Sequence, residues 1–292
     1  MQLTPLRLTP LRPTLLRPAC LAMTFSIACL ALLALLTPTH ARADWKKIEQ
    51  SGHLKVAFYN DFAPFSDKGA GIDVDLAAAL SAKLALKLTP LPFAAGEALD
   101  DDLRNMVWKG HYLGYGPADV MLHVPVDNRL MVANEQVQIF APYHVETVRL
   151  VRSAKSVPAF DGLDALAGKK IGVEKVSIAA MVMLGEGNGK FRDNVRIFPT
   201  AIEAVQALKA GELDAVLANR SEIESVMKGD AGFPLHDVSF QRLPRSGWAI
   251  GMAVRKDDIE LAHKLQAAIK QMADSGELKA LFAKHGVQLV TP

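Results

Sequence analysis

The side chains in this sequence that could do chemistry are few and widely spaced. Tyr59 and Phe62 belong to the stretch Tyr59-Asn60-Asp61-Phe62-Ala63-Pro64-Phe65, where three aromatics stand among turn formers. Aromatic rings in a loop are costly to leave wet, so they either pack beneath it or form a platform for a ligand. Both readings stay open for Phe62, and core packing is expected for Phe65. His123 and the polar run Asp127-Asn128-Arg129 follow the apolar Val120-Met121-Leu122. Pro125 has no amide hydrogen and ends such a strand. These side chains therefore fall at or just past a strand's carboxyl end, where open α/β sheets place their ligands. Taken singly, Asp127 and Asn128 read as an ordinary solvated loop. Ser177 opens a helix, which it can cap, and the free amides of a helix start suit an anion. Asn219 stands at the carboxyl end of another strand, Leu213 to Ala218. An aromatic face, a polar strand end and a helix start together suit a small polar molecule, flat or carboxylated.

Catalytic signatures are missing. There is no Gly-x-Ser-x-Gly and no His-Glu-x-x-His, and the eight histidines show no metal-ligand spacing, so no metal or cofactor is expected. Asp100-Asp101-Asp102 cannot turn three consecutive carboxylates to one helix face. It reads as a solvated helix start, favoured there by the helix dipole. Glu174, just past the strand Ile171-Gly172-Val173, is the one acid that an enzyme could use, and a surface carboxylate beside Lys175 is the plainer reading.

A chain of 292 residues with 50% hydrophobic composition allows one large or two modest domains with ample core. Arg7, Arg12 and Arg17 precede the apolar run Ala19 to Leu36, and Ala41-Arg42-Ala43 follows it. That order describes a secretory signal peptide over residues 1–43, cleaved after Ala43, with an uncleaved anchor as the alternative. The two cysteines, Cys20 and Cys29, lie inside it, so no disulfide is expected in the mature chain. Removing the leader's four arginines takes 33 basic residues to 29 against 31 acidic, a net charge of −2. No basic stripe with interleaved aromatics argues for nucleic acid.

The elements that must position these residues alternate. Leu54 to Tyr59 predicts a first strand, Leu76 to Leu84 a helix, Leu88 to Phe93 a strand, and a helix runs from Asp100 to about Lys109. After Tyr143 the pattern restarts with a strand over Val145 to Val151. Strands at 171–173, 195–198 and 213–218 then alternate with helices opened by Ser177 and Thr200. A strand over Trp248 to Val254 and two helices, 259–274 and 277–285, complete the chain. Strand–helix alternation over the whole length implies an α/β architecture built on mainly parallel sheets.

Five segments in order carry a resemblance: Leu54-Lys55-Val56 through Ala63-Pro64-Phe65, Gly71-Ile72-Asp73-Val74-Asp75-Leu76, Gly168 to Val173, Ala210 to Ala215, and Ile250 to Lys256 with Asp274 to Leu278. Together they resemble the bacterial family 3 periplasmic solute-binding proteins, the receptors of ABC importers. The resemblance implies a two-lobed fold of type II with the ligand between the lobes, lobe 1 formed by 44–145 and 246–292 and lobe 2, inserted, by 146–245. It implies a monomer in the periplasm that captures a small polar solute, anionic or amino-acid-like, for the membrane subunits of an ABC transporter. Phe62 matches the family's aromatic over the ligand, His123 a polar group beside it, and Ser177 a hydroxyl that helps hold a carboxylate. Arg129 matches the family's carboxylate-gripping arginine only with altered spacing. Asn219 stands where many members carry an aspartate for the ligand's amino group. Leu103-Arg104-Asn105, Val124-Pro125 and Pro142-Tyr143 are similar to a subgroup associated with quinoprotein dehydrogenases, which implies such an enzyme as the alternative partner. A dehydratase-like enzyme on the same fold is the further alternative.

Overall fold

The computed structural model of the chain describes residues 43–240, 243 and 247–292. The expected leader, up to Arg42, lies outside the described residues.

The first half of the chain builds a sheet around strand β1 (His53–Tyr59), which follows helix α1 (Ala43–Ser51). Short strands β2 (Asp61–Phe62) and β3 (Ser66–Asp67) pair with each other and hold the aromatic stretch in place. Helix α2 (Ile72–Lys83) then crosses to β4 (Lys87–Phe93), which pairs with β1 in parallel and forms the sheet's edge. Pro90 and Pro92 fit β4 because an edge strand has one side on which no amide is required. Helix α3 (Leu99–Leu103) continues into a π-helical turn (Arg104–Trp108) and leads to β5 (Val120–Pro125), parallel to β1 and buried through Val124.

Two elements differ from the sequence expectation. The six-residue helix α4 (Asn128–Ala133) fills what reads as a loop. Asp127 starts it by accepting the amides of Arg129 and Leu130 at 2.9 and 3.1 Å. The strand expected to restart near Val145 is the far half of one 16-residue strand, β6 (Val137–Arg152). Pro142 does not break it, because the pairing register skips there and the missing amide has no ladder partner to disappoint.

The rest of the chain sits on the far half of β6. Helix α5 (Ile178–Gly185) follows β7 (Ile171–Glu174), α6 (Ala201–Lys209) follows β8 (Val195–Phe198), and α7 (Arg220–Met227) follows β9 (Ala215–Asn219). Strand β7 runs parallel to both β8 and β9, while β9 and the short β10 (Leu235–His236) lie antiparallel to β6. Ser177 and Thr200 cap α5 and α6 as expected, accepting the amides of Ala180 and Glu203. Finally β11 (Gly247–Arg255) inserts antiparallel between β5 and the near half of β6. It is followed by α8 (Ile259–Asp274) and α9 (Glu277–Lys284).

Apolar packing follows the same division. Two clusters cover the faces of the first sheet with residues such as Leu54, Phe65, Ile250 and Phe282 on one side and Leu103, Met121 and Ile139 on the other. Two more do so around β7 and β9, with Leu150, Val173 and Leu217 on one side and Val205, Val216 and Ile223 on the other. Burying each such side chain contributes ~1.5–3 kcal/mol. Trp248 packs against a cluster of each half. Between Ile250 and Met252 the β6–β11 register shifts, with Ala141 in the left-handed region opposite. A Cβ on Gly251 would lie 2.4 Å from the Phe140 carbonyl oxygen, so only glycine allows this approach. No helix among the described residues is long and apolar enough to cross a membrane.

Candidate functional site

A cavity of about 540 Å³ opens between the two halves. Its near wall is the end of β1 and the following turn, with Tyr59, Asp61 and Phe62; the segment from Ala94 to Leu99 and Asp102 close one side. His123 of β5 forms the floor, and Glu146, Asn219 and Trp248 bring in β6, β9 and β11. A smaller cavity of about 210 Å³ shares Asn219 and Trp248 and adds Glu174, Ser177 and Glu222.

Phe62 packs against its neighbours and also borders the cavity. Its ring meets those of Tyr59 and His123 edge-on at 5.8 and 4.7 Å and stacks on Phe65 at 5.5 Å, while its remaining surface lines the cavity. Phe65 is core, 1% exposed. His123 lies inside β5 rather than beyond it, 7% exposed and with a positive φ. Behind it is a buried polar group set that the sequence did not announce. Asp73, in the first turn of α2, places a carboxylate oxygen 3.3 Å from His123 Nδ1, too poorly aligned for a hydrogen bond. The Tyr143 hydroxyl accepts the His123 amide at 3.2 Å and donates to Asp73 at 3.5 Å. Burial, then the Asp73 charge, pushes that phenol well above its ordinary pKa.

The acid run at α3 is not uniformly solvated. Asp102 is 5% exposed because Tyr59 packs over it, donating its hydroxyl at 3.1 Å, while the Gly96 amide donates at 2.9 Å. Burial raises the Asp102 pKa against the pull of those two bonds, and burial with the Asp102 charge raises that of Tyr59. Across the cavity, buried Glu146 accepts the Thr147 amide at 2.8 Å and the Ser221 hydroxyl, and burial lifts its pKa. Glu222, the third residue of α7, accepts the Asn219 amide at 2.9 Å. Burial, followed by the charges of Glu174 and Glu146, pushes Glu222 up to about 8. Glu174 is half-buried and also raised, by burial.

The structure thus brings Tyr59, Phe62, His123 and Asn219 to one cavity and Ser177 with Asn219 to its neighbour. Arg129 reaches neither: it lies exposed in the first turn of α4, where Asp127 has wound the chain into a helix. The Ser177 hydroxyl accepts from Ala180 and donates to the Glu174 carbonyl at 2.7 Å, so the cap occupies it. Asp102, Glu146, Glu222 and Trp248 were not among the expected site residues. The acid Glu146 and the tryptophan Trp248, each at or beside an expected lobe boundary, were the available signals. The lining that results is rich in acids, with Asp61, Glu97, Asp102 and Glu146 around the larger cavity and Glu174 and Glu222 around the smaller. No metal-binding group of three acids, histidines or cysteines occurs among the described residues.

No model of a known protein family matches the chain. Over 245 residues it is 26% identical to a probable histidine-binding protein of Neisseria gonorrhoeae, covering 79% of this chain and 82% of that one. Over 123 residues it is 37% identical to an L-arginine-binding protein of Pseudomonas aeruginosa, covering 41% of this chain and about half, 47%, of that relative's length. Among solved structures, an ancestral cationic amino acid solute-binding protein superposes with a TM-score of 0.64 at 21% identity, over 82% of this chain and 98% of that one. The architecture is accordingly the two-lobed α/β fold of the periplasmic binding proteins.

Proposed function

We propose that the chain is a periplasmic substrate-binding protein that holds a small polar, amino-acid-like solute between its lobes and delivers it to the membrane subunits of an ABC transporter. One observation carries this reading: a single cavity of about 540 Å³ is lined from both halves of the chain, with Glu146 and Trp248 on the paired strands that join them. Its volume and mixed aromatic and polar lining suit a metabolite-sized ligand. The histidine- and arginine-binding relatives support it. In this reading 44–145 and 246–292 form lobe 1 and 146–245 the inserted lobe 2, residues 1–43 are a cleaved leader, and the mature protein is a monomer that binds and does not catalyse.

A thermal-shift panel of amino acids, amines and organic acids tests it. A ligand at one hundred times its Kd stabilises the fold by ~2.7 kcal/mol, which raises Tm by roughly 5–10 °C for a chain of this size. A panel without any shift overturns the reading. The alternative partner, a quinoprotein dehydrogenase, would have to meet an exposed apolar surface such as the loop carrying Tyr112 and Leu113, which are 88% and 68% exposed. Co-purification of that enzyme, lost in Tyr112→Ser, is its expected outcome.

A further inference from the structure

We propose that the cleft takes a small amine or guanidine that carries no carboxylate. The inference rests on the binding-protein reading and narrows it to a ligand class. An amino acid brings a carboxylate as well as an ammonium, and holding that anion away from water requires a cation or free amides facing it. Among the described residues that line the two cavities there is no lysine and no arginine. The one basic side chain among them, His123, has its Nδ1 3.3 Å from an Asp73 carboxylate oxygen and its ring packed against Phe62 and Phe65. At the start of α5 the Ser177 hydroxyl is committed to the cap, which leaves the amides of Ile178 and Ala179, and Glu174 and Glu222 line the same small cavity. A carboxylate reaching those two amides would find no cation beside them and Glu174 as its neighbour.

The acids and rings of the larger cavity suit a cation. Asp61, Glu97, Asp102 and Glu146 line the larger cavity from several directions. Tyr59, Phe62 and Trp248 add rings whose faces attract an ammonium or guanidinium group within about 6 Å. Burial makes the ionised forms of Asp102 and Glu146 unfavourable, and a bound cation supplies the counter-charge that restores them. The Asn219 side chain, lining both cavities, adds a neutral hydrogen-bonding group without bringing a positive charge.

Matched pairs isolate the carboxylate. Isothermal titration of the mature chain at pH 7.5 compares agmatine with arginine and putrescine with ornithine, with succinate as the anion. The expected result is that each decarboxylated compound binds at least about tenfold more tightly than its amino acid. Glu146→Gln and Asp102→Asn, each checked for folding by circular dichroism, should weaken agmatine by a similar factor, and Glu97→Gln on the exposed rim by about threefold. Arginine binding as tightly as agmatine, or succinate binding in preference to both, overturns the inference and leaves the receptor reading standing. Agmatine affinity unchanged in all three variants also overturns it. If no compound in the titrations or in the thermal panel binds, both readings fall together.

Discussion

Glu222 offers a quantitative test of the electrostatics at the seam. Its carboxyl keeps a proton in the folded protein up to about pH 8, against 4.5 in an unfolded chain. A raised acid stabilises the fold fully below the unfolded value, and this contribution drains away as pH rises towards the folded one. The loss amounts to 1.36 kcal/mol per pH unit within that window. Between pH 5 and 7.5 the wild type should therefore lose about 3 kcal/mol through this group alone. Glutamine has the shape of the protonated acid and keeps an acceptor for the Asn219 amide. Glu222→Gln should match the wild type to within about 1 kcal/mol at pH 5 and exceed it by about 3–4 kcal/mol at pH 7.5. Urea denaturation of both proteins at the two pH values measures this, provided the m-values agree. A variant equally or less stable than the wild type at pH 7.5 would refute the burial argument, and with it the acid cluster of Glu146, Glu174 and Glu222.

His144 shows the opposite sign. Burial, then the charges of His123 and Arg220, lowers its pKa to about 4. Its imidazole should stay neutral in an NMR titration down to that pH, and the fold should lose roughly 3 kcal/mol as pH falls from 6.5 to 4. Gly251→Ala forces a Cβ against the Phe140 carbonyl and should cost at least about 2 kcal/mol in chemical denaturation. Ser177→Ala removes the α5 cap and should cost about 1 kcal/mol. It should also leave agmatine affinity within about twofold if the hydroxyl belongs to the cap and not to the ligand.

Local patterns were legible in the sequence. Strands β1, β7, β8 and β9 follow from short apolar runs between turn residues, and the caps at Ser177 and Thr200 follow from side chains that bond amides three positions on. What distant segments decide was not legible. Asp102 looks solvated beside Asp100 and Asp101 until Tyr59, far away in sequence, packs over it. The acids Glu146, Glu174 and Glu222 come from three separate stretches, and only the fold brings the first two close enough to raise the third. Arg129 follows the strand end as expected, but the Asp127 cap winds it into a short helix that keeps it away from both cavities. The length of β6 was not legible either, because the register skip that lets it run through Pro142 is set by the pairing with β11.

The pairing of Gly247 and Trp248 with Thr147 and Glu146 means that the two halves are joined by a hydrogen-bonded ribbon rather than by slack chain. Any movement of one half against the other must twist or bend that ribbon, which behaves as a torsion spring with a resting angle. The indole of Trp248, packed against a core on each side of that ribbon, adds an apolar contact that such a twist would have to strain.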